Sequence, residues 1–225
     1  MESSKDIINQ ILQDQTDKEN QEKINIATWK KSIDFKAWLN ILPRRFRDIE
    51  CDKEDLVKQG INESMFITGD VGVGKTVLMA GIAKEIIGEH FLKHYKEQKE
   101  RGLSYLSNKY EGVKWISYSS FIMELQSMFR KEGENTPFEM AEEVATYRGT
   151  LCIDDIGAEK MTAFVQQVTY YIINYREQEM LHTLITSNFS LQQIDEQIDS
   201  RVSSRIGGMC KIVKLTGEDR RLKKV

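Results

Sequence analysis

The stretch from residue 64 to 91, SMFITGDVGVGKTVLMAGIAKEIIGEHF, constrains the fold more than any other part of the chain. A short apolar strand runs into a glycine-rich turn, and the turn runs into a long helix pattern. Gly69, then Asp70, Val71, Gly72 and Val73, then Gly74-Lys75-Thr76 match the phosphate-loop pattern in full, with the required strand before and helix after. The glycines let the backbone turn so that successive N–H groups point into one concavity. The helix N-terminus adds partial positive charge. Lys75 is placed to neutralise the β- and γ-phosphates of a nucleotide, and the Thr76 hydroxyl suits Mg²⁺. A glycine turn with an accidental lysine would not need the flanking strand and helix.

The remainder of the chain supplies matching units. VKWISY, TLCIDD, HTLITSN and CKIVKLTG read as strands; SSFIMELQSMFRKEG, TPFEMAEEVATYRG and TAFVQQVTYYIINYREQE read as helices. The first of these helices opens on a serine cap, and the second carries Pro137 in its first turn. SLQQIDEQIDSRVSSRIGG reads as one helix ending at Gly207. Strands alternating with helices predict an α/β fold with a parallel sheet covered on both faces. Lys93, Lys96, Lys99 and Arg101 are interrupted by Glu97 and Glu100, as on a solvated helix face.

Residues 1–42 differ from the rest of the chain, being rich in Gln, Asp, Glu, Lys and Asn. Ile7, Ile8, Ile11 and Leu12 recur at helical spacing, as do Ile26, Trp29 and Ile33, with Trp38 and Leu39 just beyond. The segment is too short for a core of its own. Its apolar stripes therefore pack on the neighbouring domain or dock on a partner protein. The expected organisation is a docking segment over 1–42 and one nucleotide-binding domain over 43–225.

Bulk properties narrow the class. A net charge of −3 excludes a uniformly basic nucleic-acid coat. Cys51, Cys152 and Cys210 are far apart and lack CxxC spacing, which reads as reduced thiols in a cytoplasmic protein. No signal peptide is recognisable at the N-terminus, and no apolar run approaches the roughly 18 residues of a membrane span.

TLCIDDIGAEK bears on whether a bound nucleotide is hydrolysed. A hydrophobic strand ending in acids places carboxylates at the C-terminal edge of a parallel sheet, where α/β ligands sit. Asp154 is the candidate Mg²⁺-side carboxylate and Asp155 the candidate group that orients or deprotonates water. The interval between Lys75 and Asp154 holds one further strand-helix unit, so an additional strand is expected between the two functional strands in the sheet. Asn188, closing TLITSN, can hold the water or the γ-phosphate.

In this order, the phosphate loop, IDDIGAE, LITSNF, the paired arginines of RVSSR and GEDRR resemble the AAA+ ATPases of the DnaC/DnaI/IstB group, which includes replicative-helicase loaders and transposition helpers. The resemblance covers about residues 41–225, and ILPRRFRDIE is similar to that group's leading segment beside the adenine. It implies a P-loop three-layer sandwich and ATP with Mg²⁺ as cofactors. The strand acids Asp154 and Asp155 become the Walker B pair, with Asp155 one methylene shorter than the common glutamate. Asn188 becomes sensor 1. Arg205 falls at the arginine finger, with Arg201 one turn earlier as the other candidate, and Arg220 at sensor 2, with Arg221 as the neighbour that competes for it. Lys160, Thr162 and Phe164 lie where some relatives touch single-stranded DNA. The chain stops five residues after Arg220, so no C-terminal lid domain is expected.

The function so implied is ATP-dependent loading of a hexameric, DnaB-type replicative helicase onto single-stranded DNA. A homo-oligomer would share its ATP sites between subunits, and no membrane is involved. The competing readings are an IstB-like helper acting with a transposase on duplex DNA, and a non-hydrolysing ATP-binding adaptor. A small-molecule kinase would leave the sensor and finger positions without purpose.

Overall fold

A computed structural model describes residues 33–100, 112–129 and 136–220. The stripes at Ile7–Leu12 and Ile26–Trp29, the break at Gly102, and Arg221 lie outside these residues.

Five strands form one sheet: β1 (Met65–Gly69), β2 (Val113–Ser117), β3 (Thr150–Asp154), β4 (Thr183–Ser187) and β5 (Lys211–Leu215). Their order is β2-β3-β4-β1-β5, and every pairing is parallel. Parallel strands need crossovers, and the helices supply them: α1 (Ile33–Trp38), α2 (Glu54–Asn62), α3 (Lys75–Glu100), α4 (Tyr118–Met128), α5 (Pro137–Ala145), α6 (Ala163–Gln178), α7 (Leu191–Gln197) and α8 (Ser200–Met209). The strand β4 lies between β1 and β3, so a strand does separate the two functional strands, while the strand within the Lys75–Asp154 interval, β2, lies at the sheet edge beyond β3.

Strand alternation divides the core in two. Phe66, Leu151, Ile153 and Ile185 face the layer containing Phe121, Leu125, Val144, Ile172 and Ile206. Met65, Ile67, Cys152, Leu184 and Val213 face the other layer, with Leu78, Ile82 and Phe91 of α3. Successive side chains on opposite faces are what two covered faces require. This is the predicted α/β three-layer sandwich.

Two local expectations are corrected, and a third, the proline in the first turn of its helix, holds. Residues 191–209 form two helices. Asp199 adopts extended backbone, and its side chain accepts from the Arg201 N–H, capping α8 and ending the preceding helical path. That second helix runs past Gly207 to Met209. Helix α4 begins at Tyr118, and the residue before it, Ser117, makes no side-chain capping bond. Ser119 instead donates to Glu159 at 2.7 Å. The Pro137 helix is capped by more than proline, because Thr136 and Glu139 form a reciprocal capping box.

The end of the N-terminal segment packs on the domain. Phe35, Trp38, Leu39 and Leu42 are buried beside α3. Phe91 meets Phe35 and Trp38 edge-on, with ring centroids 5.4 and 5.2 Å away. For these residues the apolar stripe serves the core.

Arg176 on α6 is fully buried without a carboxylate partner among its hydrogen bonds. Its guanidinium donates to the Thr183 hydroxyl and to the carbonyls of Ala145, Tyr147, Gly149 and His182. It ties the loops entering β3 and β4 together, and burial lowers its pKa to about 10.

Candidate nucleotide site

The C-terminal ends of β1, β3 and β4 meet the N-terminus of α3 around a cavity of about 560 Å³. Gly72, Gly74, Lys75, Thr76, Asp154, Asp155, Asn188 and Arg220 all line it. Two phosphate-loop glycines are dictated by their surroundings. Gly72 has φ +80, and a Cβ there would collide with the Asp219 carboxylate; Gly74 has φ +100 beneath the Arg220 guanidinium. Val71, also in the loop, is exposed at the cavity, whereas Val73 is buried in the core.

Lys75 is 7% exposed. Its ammonium donates to the carbonyls of Gly69 and Asp70, both at 2.8 Å, and to Asn188 Oδ1 at 2.7 Å. Asn188 is thus a bridge, because its Nδ2 donates to Asp155 Oδ1 at 2.8 Å. Lys75 at the start of α3, Asn188 just after β4 and Asp155 just after β3 form one connected array.

Asp154 accepts at Oδ1 from the Thr76 hydroxyl at 3.0 Å and from the Thr186 hydroxyl at 2.7 Å. Burial raises its pKa above the usual carboxylate value, while those two hydroxyls pull it back down. Asp155 has φ +63, a left-handed conformation uncommon for a residue with a Cβ. Hydrogen bonds from Asn188 to its side chain and from its own N–H to Thr186 hold it there.

The donor set fits Mg²⁺. Thr76 and Asp154 offer two hard oxygens 3.0 Å apart. Mg²⁺ suits such a sparse site because it completes its shell with water and phosphate oxygens.

Arg45, Phe46 and Ile49 also line the cavity. Phe46 stacks on Trp115 with centroids 6.2 Å apart, and Arg45 lies over the same phenyl ring. The leading segment therefore does border the site, although its individual lining residues carry no motif. Arg220 reaches the cavity, with its N–H donating to the Gly72 carbonyl at 3.1 Å. Its guanidinium pairs with Asp52, another residue without a motif signal, at 3.1 and 3.3 Å. That pairing holds the Asp52 carboxyl below its ordinary value.

The remaining candidates do not line this cavity. Arg205 on α8 donates to Asn174 Oδ1 at 2.7 Å and to the Tyr170 hydroxyl at 3.1 Å. Arg201 pairs with Asp199 of its own helix cap at 2.7 Å, and both guanidiniums stack on the Tyr170 ring. Lys160 and Thr162 are exposed. Thr162 caps α6 by accepting from the Val165 N–H, and Phe164 lies half-buried, edge-on to exposed Phe129. Motif reading also passed over Thr186, whose hydroxyl bonds to Asp154 and to the Asp155 N–H; a hydroxyl within an apolar strand, two residues before Asn188, is its trace in the sequence.

The comparisons agree with this architecture. The chain is 25% identical over 175 residues to the replicative helicase loader DnaI of Bacillus subtilis (strain 168). The match covers 72% of this chain and 49% of the relative, so the chain spans about half that protein's length. A crystal structure of DnaI superposes with a TM-score of 0.55 at 22% identity, covering 81% of this chain and 93% of the other. A putative primosome component from Streptococcus pyogenes serotype M3 gives 0.56 at 22% identity, covering 82% and 98%. AMPPCP-bound DnaA from Aquifex aeolicus gives 0.52 at 20% identity, covering 81% and 54%. No family model matches the chain. The expected parallel α/β sandwich and the resemblance to a DnaI-type helicase loader are thereby borne out.

Proposed function

We propose that this chain, an AAA+ fold resembling the DnaC/DnaI loaders, is an ATP-dependent loader of a hexameric DnaB-type replicative helicase onto single-stranded DNA. The observation that carries the ATPase half is the connected array of Lys75, Thr76, Asp154, Asp155 and Asn188 lining one cavity. Similarity to DnaI supports the loader half.

In this mechanism the loop from Gly69 to Thr76 wraps the phosphates with backbone N–H groups at the start of α3. Lys75 exchanges its carbonyl contacts for phosphate oxygens. Thr76 and Asp154 hold Mg²⁺, which when bound neutralises charge on the phosphates. Asp155, oriented by Asn188, takes a proton from or positions the attacking water. Arg220 approaches the phosphates from the chain's own C-terminal side. Arg205, presented by Tyr170 and Asn174, completes the site of a neighbouring copy, a contribution worth ~10³–10⁵ in rate where fingers have been removed. Hydrolysis then depends on assembly, and ATP switches partner capture and release. Lys160, Thr162 and Phe164 are proposed to meet single-stranded DNA, with Phe164 as a base-stacking surface.

Residues 1–32 are proposed as the helicase-docking segment, because the stripe from Phe35 to Leu42 is used by the domain core. The test is co-elution of the full chain with a DnaB-type helicase and ATP on a sizing column. Co-elution that disappears when residues 1–32 are deleted is expected. Normal binding by the deletion would overturn the docking role. Capture of a transposase with duplex DNA in place of the helicase would favour the IstB-like reading.

A further inference from the structure

We propose that Thr186 is a positioning residue that locks the two strand acids into one geometry for Mg²⁺ binding and hydrolysis; this rests on the ATPase reading above. Thr186 sits on β4, 1% exposed, between the site strands β1 and β3. Its hydroxyl has one proton and uses it on Asp154 Oδ1 at 2.7 Å. The same oxygen accepts the Asp155 N–H at 2.8 Å. One buried atom therefore fixes the carboxylate of the first acid and the backbone of the second.

The backbone contact matters because Asp155 is left-handed, with φ +63. Such conformations persist when surrounding contacts over-determine them. The Asp155 N–H bond to Thr186 and the neighbouring Ile156 N–H bond to the Thr186 carbonyl at 2.9 Å pin the turn from both sides. Ser187 adds a third tie, its hydroxyl donating to the Ile156 carbonyl at 2.7 Å. The left-handed turn aims the Asp155 side chain at Asn188.

The carboxylate contact matters because Asp154 also accepts from Thr76, the other oxygen of the candidate metal pair. Thr186 sets the rotation of that carboxylate relative to Thr76. Outer partners of ligating carboxylates typically account for ~10–100-fold in metal affinity or activity.

The test uses the full chain and the variants Thr186→Val, Thr186→Ser and Thr186→Ala. Binding of a non-hydrolysable ATP analogue is titrated with and without Mg²⁺, and kcat and KM for ATP are measured alongside thermal melts. In Thr186→Val, which keeps the shape and loses the hydroxyl, metal-free analogue affinity is expected to match the parent. The gain in affinity on adding Mg²⁺ and kcat are expected to fall ~10–100-fold with KM changed far less. Serine restores both, because it keeps the hydroxyl. Should valine not fold, the alanine variant carries the same expectation. A folded valine or alanine variant with parental Mg²⁺ gain and kcat overturns the proposal, as does a serine variant as defective as valine. If the parent chain neither binds the analogue nor hydrolyses ATP, the ATPase reading itself fails, and Thr186 has no role to play in it.

Discussion

Asn188 is the residue on which the site's two halves depend. Its carbonyl oxygen accepts from the Lys75 ammonium and its amide donates to the Asp155 carboxylate, so it touches the phosphate-loop cation and the second strand acid together. Asn188→Ala removes both bonds while leaving the phosphate loop and Thr76–Asp154 intact. We expect kcat to fall by ~10²-fold, the loss typical of one preorganised polar group at a reacting centre, with little change in KM. Steady-state ATPase assays across ATP concentrations check this; a variant that loses affinity instead would make Asn188 a ground-state binding residue. The same residue shows what motif reading can reach. Lys75, Asp154 and Asn188 each stand at the end of an apolar strand or in a fixed loop pattern, so their convergence follows from strand direction. Thr186 and Asp52 carry no such signal. Their roles arise from which neighbour β4 acquires and from where the C-terminal segment returns, and both are tertiary facts.

At the scale of elements, the five strands and the helix types follow from alternation and periodicity, whereas the breaks between helices do not. The division of residues 191–209 into α7 and α8 turns on Asp199, whose capping bond competes with helix continuation. An aspartate inside a helical apolar pattern reads equally well as a surface charge. Similarly, the stripe from Phe35 to Leu42 has the periodicity of a docking helix and is used by the core instead, because Phe91 of α3 offers an aromatic face. Periodicity states that a face is buried and not against what. Arg176 is the opposite case, a charged residue with a structural role. Four carbonyls and one hydroxyl rely on it where α5, β3 and β4 approach. Removing it leaves buried acceptors unsatisfied and opens a void. Arg176→Ala is therefore expected to destabilise the domain by about 3 kcal/mol or more, measured by urea unfolding. A loss under about 1 kcal/mol would mean that water replaces the guanidinium.

Across the whole molecule, the two arginine groups stand in different places. Arg220 belongs to the chain's own cavity, and Arg205 is carried on α8 by Asn174 and Tyr170, outside the lining of that cavity. In the proposed shared site, one copy would supply the carboxylates and the next copy would supply Arg205 as the finger. Mixing Arg205→Ala with Asp155→Asn, each inactive alone, is expected to recover partial ATPase activity with a maximum near equal ratios. No recovery at any ratio would assign Arg205 to stabilising α6 against α8.

We propose that the array from Lys75 to Asn188 hydrolyses Mg²⁺-ATP in an assembly-dependent way. The most direct test is phosphate release by the full chain measured against protein concentration, beside the Asp155→Asn variant. Release is expected to rise faster than in proportion to protein and to be abolished by Asp155→Asn. Release at background over the whole concentration range, or release that Asp155→Asn leaves unchanged, would contradict it.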